Sequence, residues 1–233
     1  MALLPIVQYP DPRLAEKAQP VTEFNDELKQ LAADMAETMY AAPGVGLAAP
    51  QIGKLIRMMV VDISEDKNDL RVFVNPVIEP LSDEVVDCEE GCLSLPGVYE
   101  KVERPARVLI KAQDLDGKPF EMECDELMSV CVQHETDHLN GIVFVDHLSR
   151  LKKSRTVAKL AKLRREKARE AKEKRQYRIR PYSDNRYKSA PVAGVRFLLG
   201  GKVRSRSVTM DRDSTGNLID MSRGQVVPHA FNA

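Results

Sequence analysis

Apolar residues recur with a helical period in two stretches of the chain and with strand character in several others. Between Asn25 and Tyr40, residues Leu28, Leu31, Ala32, Met35 and Met39 form one helical face. Between Asp125 and Asn140, residues Leu127, Val130, Cys131, His134 and His138 share a face. Asp125 is placed to cap that helix, and Gly141 to follow its end. Leu55–Ile63, Arg71–Ile78, Ala106–Asp114 and Phe120–Glu123 read as strands. Pro76 interrupts the second, and Asp116-Gly117 joins the last two as a hairpin. Pro5, Pro10, Pro12 and Pro20 keep the N-terminal stretch extended. Gly44 and Gly46 end the first helix and open a loop.

After Ser149 the pattern changes to a highly charged helix, Ser149–Gln176. Val157, Leu160 and Leu163 give it an apolar stripe at the start, and the remainder is expected to be solvated. Residues 177–233 are rich in Arg, Ser, Gly and Asn and have the composition of a weakly ordered tail. The expected division is therefore a globular part over 1–148, a basic helix over 149–176 and an irregular basic tail over 177–233.

Charge sharpens this division. The formal net charge is +0, but residues 1–149 hold 12 Lys+Arg against 28 Asp+Glu, a balance of −16. Residues 150–233 hold 23 against 7, a balance of +16. Such a basic segment suits an acidic partner, of which nucleic acid is the commonest. Cys88, Cys92, Cys124 and Cys131 form no CxxC pair. No basic-then-apolar leader opens the chain, and no run approaches the roughly 20 apolar residues of a membrane span. A reducing cytoplasm is the expected setting, where an unpaired Cys is free to bind metal.

One motif carries chemistry. His134-Glu135-Thr136-Asp137-His138 is HExxH on a predicted helix, where i and i+4 imidazoles reach a single divalent ion and the Glu stands beside it as a base. The chain has only 4 His, which makes an idle pair here improbable. His147 and His229 stand alone. The extended HExxHxxG pattern of the metzincins needs a third His at position 144, and Phe144 stands there. The motif by itself leaves the third ligand open.

Three blocks lie in order: Gly44-Val45-Gly46-Leu47-Ala48-Ala49-Pro50-Gln51, Glu90-Gly91-Cys92-Leu93-Ser94, and His134–His138. Together with Tyr9–Leu14 they resemble the bacterial peptide deformylases, over about residues 4 to 165. The resemblance implies an α+β fold, with antiparallel sheets around a central HExxH helix. It implies Cys92, His134 and His138 as metal ligands around one divalent ion. Fe(II) stands first among the metals, and Zn or Ni suit the same ligands. It further implies removal of the formyl group from N-terminal formyl-methionine of nascent polypeptides.

On the same resemblance, Glu135 is the general base, and the Gln51 side chain and Leu93 N–H stabilise the oxyanion. Val45, Gly46, Leu127, Val130 and Cys131 meet the substrate, with Val45, Leu127, Val130 and Cys131 lining the methionine pocket. The resemblance and the charge split further imply that the basic C-terminal helix docks on the ribosome. Tyr99 is a departure, because some members carry there an Arg that meets the peptide backbone. An ordinary HExxH peptidase places no thiolate in an open catalytic site, which sets Cys92 against that alternative. A purely nucleic-acid-binding module would need neither Glu135 nor Gln51.

Overall fold

The computed structural model describes residues 2–179, 210–212, 218–220 and 225–226. The chain divides into two compact units, Met1–Arg175 and Gln176–Ala233.

In the first unit, helix α1 spans Asp26–Ala41 and buries Leu28, Ala32, Met35 and Met39, four of the five residues of its expected face. Asn25 caps it, its side chain accepting from Leu28 N–H at 3.0 Å. Seven strands follow: β1 (Gly46–Ala48), β2 (Met58–Val61), β3 (Arg71–Pro80), β4 (Val85–Gly91), β5 (Tyr99–Pro105), β6 (Val108–Gln113) and β7 (Pro119–Cys124). An antiparallel sheet has the order β1-β2-β3-β6-β7, and β4 pairs with β5 as a separate two-stranded ribbon. Helix α2 spans Glu126–Leu139 and lies against β1, β2, β3 and β5. The HExxH helix is thus enclosed by both sheets, as an α+β fold requires.

The sequence reading contained neither β4 nor β5, and three local details also differ from it. The loop expected after Gly44 contains β1, whose three residues are too few to show a period. Pro76 does not end its strand. The pairing of β3 with β6 shifts register between Val74 and Val77, and Asn75 adopts a φ of 52° at that bulge. The Asn75 side chain holds the bulge, accepting from Val21 N–H at 2.8 Å and donating to Val21 O and Gln113 Oε1. At α2, Asp125 sits at the cap position but its side chain makes no capping hydrogen bond. Gly141 follows the helix with φ +75°, as its position required.

Helix α3 spans Arg150–Ile179. Thr156 and Leu160 are buried, and Leu160 joins a core cluster with Leu95, Val98, Val102, Val143 and Phe144. Thr156 Oγ1 donates to Glu100 Oε1 at 2.7 Å. Arg165 through Lys174 are exposed, as the lack of apolar residues there implied. The second unit contains a sheet of β8 (Met210–Arg212), β9 (Leu218–Asp220) and β10 (Gln225–Val226) in the order β10-β9-β8. The expectation of weak order for 177–233 otherwise falls outside the described residues, as does His229.

Replacing Asn25 with Ala should lower unfolding stability by about 1 kcal/mol, and replacing it with Gly by only a few tenths, because Gly loses less at a cap. Denaturant titration of the three proteins measures the difference.

Candidate metal centre and active-site cleft

Two adjoining features build the centre. The first is the turn that leaves β4. Cys92 directly follows Gly91, and Leu95 N–H closes a turn onto Cys92 O at 2.9 Å. The N-terminal stretch pins this turn, with Gln8 Nε2 donating to Leu93 O and Tyr9 N–H to Ser94 O. The second feature is the buried face of α2, which presents His134, Glu135 and His138.

These parts converge. The ligand atoms of Cys92, His134 and His138 all lie within 4.8 Å of one another. Cys92 Sγ is 3.2 Å from His138 Nε2, and the two imidazole rings are 5.0 Å apart and edge-on. Glu90 Oε2 lies 2.7 Å from His134 Nδ1, which leaves Nε2 of that ring for the cluster. The donor set of one thiolate and two imidazoles suits a tetrahedral divalent site with one open position. Glu135 adds a buried carboxylate whose Oε2 has no hydrogen-bond partner. A buried acceptor left over beside a ligand cluster fits a base whose partner is a bound water or substrate.

The electrostatics separate the cysteines. Burial pushes the Cys92 thiol up, but His138 and His134 beside it outweigh burial and hold it well below the usual thiol range. Burial pushes Cys131 up to about 12, and Cys124 up to about 11, so both stay neutral. Burial likewise raises the Glu135 carboxyl, against the opposing pull of His134 and His138. Burial opposes a charged His134, yet Cys92 and Glu90 raise that imidazole well above its ordinary range.

A cleft of about 500 Å³ opens onto this cluster. Val45, Gly46, Gln51, Cys92, Leu93, Leu127, Val130, Cys131, His134 and Glu135 all line it. His138 is not in the lining and sits behind Cys92, almost fully buried. Val130 and Cys131 are buried walls, whereas Leu127 is 51 % exposed and Val45 43 %, so these two stand at the rim. Tyr99 also lines the cleft and is 59 % exposed. Its ring lies over Gly91, where an added Cβ would come within 2.5 Å of it.

Gln51 is oriented by the chain itself. Ala48 N–H donates to its Oε1 at 2.7 Å, so Nε2 faces Cys92 Sγ at 3.5 Å and Ser94 Oγ at 3.4 Å. Its oxygen satisfies a backbone donor, and its amide donors are thereby aimed at the cluster. The two glycines of the first block have distinct roles. Gly44 N–H bonds Met39 O at the end of α1, while a Cβ on Gly46 would collide with the Glu135 carboxylate.

Three residues escaped the sequence reading. Glu90 lay inside a motif but received no role. Arg104 carried no pattern at all. His147 is not solitary, because its Nε2 lies 2.7 Å from Asp137 Oδ2. No sequence signal pointed to that contact.

Comparison with known proteins gives a single family. Residues 3–154 match the family model described as polypeptide deformylase. A curated peptide deformylase of Acinetobacter baumannii is 56% identical over 170 residues, covering 73% of this chain and 97% of that protein. The crystal structure of a peptide deformylase from Legionella pneumophila superposes with a TM-score of 0.68 at 48% identity, over 72% of this chain and 99% of that one. A peptide deformylase from Synechococcus elongatus in complex with actinonin gives a TM-score of 0.65 at 42% identity, over 67% of this chain and 86% of that one. The extent of these matches establishes that the chain belongs to the polypeptide deformylase family of metal-dependent hydrolases.

Proposed function

We propose that this chain hydrolyses the formamide bond of N-terminal formyl-methionine on nascent polypeptides in the cytoplasm, releasing formate and a free amine. The observation that carries this reading is the convergence of Cys92, His134 and His138 within 4.8 Å beside the unpartnered Glu135 Oε2, at a cleft of about 500 Å³ lined by Cys92, His134 and Glu135.

Cys92, His134 and His138 would hold a divalent ion, with Fe(II) first and Zn or Ni compatible, which would supply Lewis acidity and lower the pKa of a water. The residues divide the remaining tasks. Glu135 takes the proton from the attacking water and passes it to the leaving amine as the C–N bond breaks. Gln51 Nε2, aimed by its bond from Ala48 N–H, and the Leu93 backbone N–H donate to the formyl oxygen as it becomes negative. Gly46 leaves room for Glu135 close to the backbone that binds the substrate. Val130 and Cys131 form the buried apolar wall for the methionine side chain, and Val45 and Leu127 its rim. The neutral Cys131 thiol suits an apolar wall, and Cys131 lies outside the cluster of Cys92, His134 and His138. Tyr99 offers an aromatic face, without charge, to the peptide that follows.

Helix α3 serves two ends in this reading. Its first half packs on the catalytic unit through Thr156 and Leu160. Its exposed continuation, including Arg165, Lys167 and Arg169, meets ribosomal RNA and brings the enzyme to its substrate. Among the described residues, no helix is long and apolar enough to cross a membrane.

Glu135→Gln should retain the metal while kcat falls by about 10² to 10⁴. Elemental analysis with a formate-release assay separates the two quantities, and near-full turnover would assign the base elsewhere. Cys92→Ala should abolish stoichiometric metal binding in protein prepared without oxygen. Truncation after Leu163 should remove ribosome co-sedimentation at low salt and leave kcat/KM on a short formyl-Met peptide unchanged. Truncation after Leu151 also removes Leu160 from the core and should lower both activity and stability. If the protein truncated after Leu163 still sediments with ribosomes, the part of α3 beyond Leu163 is not the anchor.

A further inference from the structure

A chain of buried charges lies beside the ligand cluster, and none of the steps above uses it. The side chains of Glu90 and Arg104 are 3% and 5% exposed. Arg104 Nε donates to Glu90 Oε1 at 2.6 Å and Nη2 to Oε2 at 3.0 Å. Glu90 Oε2 also contacts His134 Nδ1 at 2.7 Å. The third guanidinium nitrogen, Nη1, donates to Asp137 Oδ2 at 2.6 Å. The chain of contacts therefore leaves α2 at His134, crosses β4 and β5, and returns to α2 three residues later.

We propose that Arg104 is a positioning residue for the metal centre, holding the Glu90 carboxylate in the one orientation that turns His134 Nε2 toward Cys92 and His138. The proposal rests on the reading that Cys92, His134 and His138 hold the ion. A carboxylate can rotate about its last bond and swing the ring it contacts. Two N–H donors in one rigid plane remove that freedom, which a single donor cannot do. Strand pairing alone does not bring the two residues together. The register of β4 with β5 sets Arg104 opposite Val86, four residues from Glu90, so the contact depends on a long side chain with a fork. The second anchor, Asp137, lies on the same helix as the ligand. The guanidinium is thus tied both to the carboxylate that orients His134 and to the helix that carries it. Ligand-orienting partners of this kind are typically worth about 10- to 100-fold in metal affinity.

A purely structural role for Arg104 would show as lost stability without a specific effect on the ion. Arg57 provides the comparison. It is a half-buried guanidinium that ties the end of α2 to β3, donating to Asn140 Oδ1 at 3.0 Å and Pro76 O at 2.9 Å, with no contact to Glu90 or His134 among its hydrogen bonds.

The test uses Co(II) as probe in the full-length chain, with affinity measured by chelator competition and coordination by visible absorption. Arg104→Met should lose about 10- to 100-fold in Co(II) affinity and show a shifted ligand-field spectrum. Arg104→Lys keeps the charge without the fork and should lose a smaller part of the affinity. Arg57→Met should lower the thermal midpoint yet leave affinity and spectrum as in the parent chain. Parent-like affinity and spectrum in Arg104→Met would overturn the proposal, and if that variant does not fold, the same result in Arg104→Lys does so. Equal loss in Arg57→Met would also overturn it, by making the effect one of general stability. Co(II) binding that survives Cys92→Ala would instead remove the ligand assignment beneath the proposal.

Discussion

The polar face of α2 is buried, and much of the surrounding architecture compensates that burial. His134, Glu135 and His138 all point inward from a helix enclosed by two sheets. An unpaired ion in such a place costs several kcal/mol even after relaxation. Arg104 supplies the counter-charge, paired at once to Glu90 and Asp137. Burial alone would drive the Glu90 carboxyl up, and the Arg104 guanidinium with His134 brings it below its ordinary range. The ribbon of β4 and β5 is thus more than a wall of the cleft. It carries Cys92, the cysteine of the candidate metal site, at one end and both members of the compensating ion pair along its length.

The same low-dielectric surroundings sort chemically identical groups into different roles. Cys92 and Cys131 both reach the cleft, yet only Cys92 has two imidazoles against its sulfur, and their attraction lowers its thiol. Cys131 is pushed up first by burial and then by the carboxylates and thiol near it, and stays protonated. Among the carboxylates, Glu90 has every oxygen engaged, whereas Glu135 keeps Oε2 free of partners. A carboxylate with spare acceptor capacity at a cleft is suited to proton transfer, and one fully bonded is suited to holding a neighbour still.

Helix α3 shows how a single element divides along its length. Apolar spacing ends near Leu163, and contact with the rest of the catalytic unit tapers off there. Arg164 is half-buried, and Arg165 through Lys174 face solvent. Arg150 through Arg164 carry seven Lys or Arg and no Asp or Glu, whereas Arg165 through Lys174 carry five against three, on a chain whose first 149 residues balance at −16.

The legibility of the protein follows the range of its interactions. The helices α1 and α2, the hairpin of β6 and β7, and the joint position of His134, Glu135 and His138 were determined by local period and turn chemistry, which the sequence displays directly. The order of the three motifs carried the family and, with it, the expected site. The strands β4 and β5 were not legible, because the inner face of the ribbon holds Glu90, Glu100 and Arg104 among its residues, so its alternating burial is not an alternation of apolar and polar residues. The partnership of Arg104 with Glu90 and the pairing of His147 with Asp137 were decided only by tertiary structure. Both join residues from different elements by side-chain reach, and nothing in local spacing encodes which distant charge a buried charge will meet.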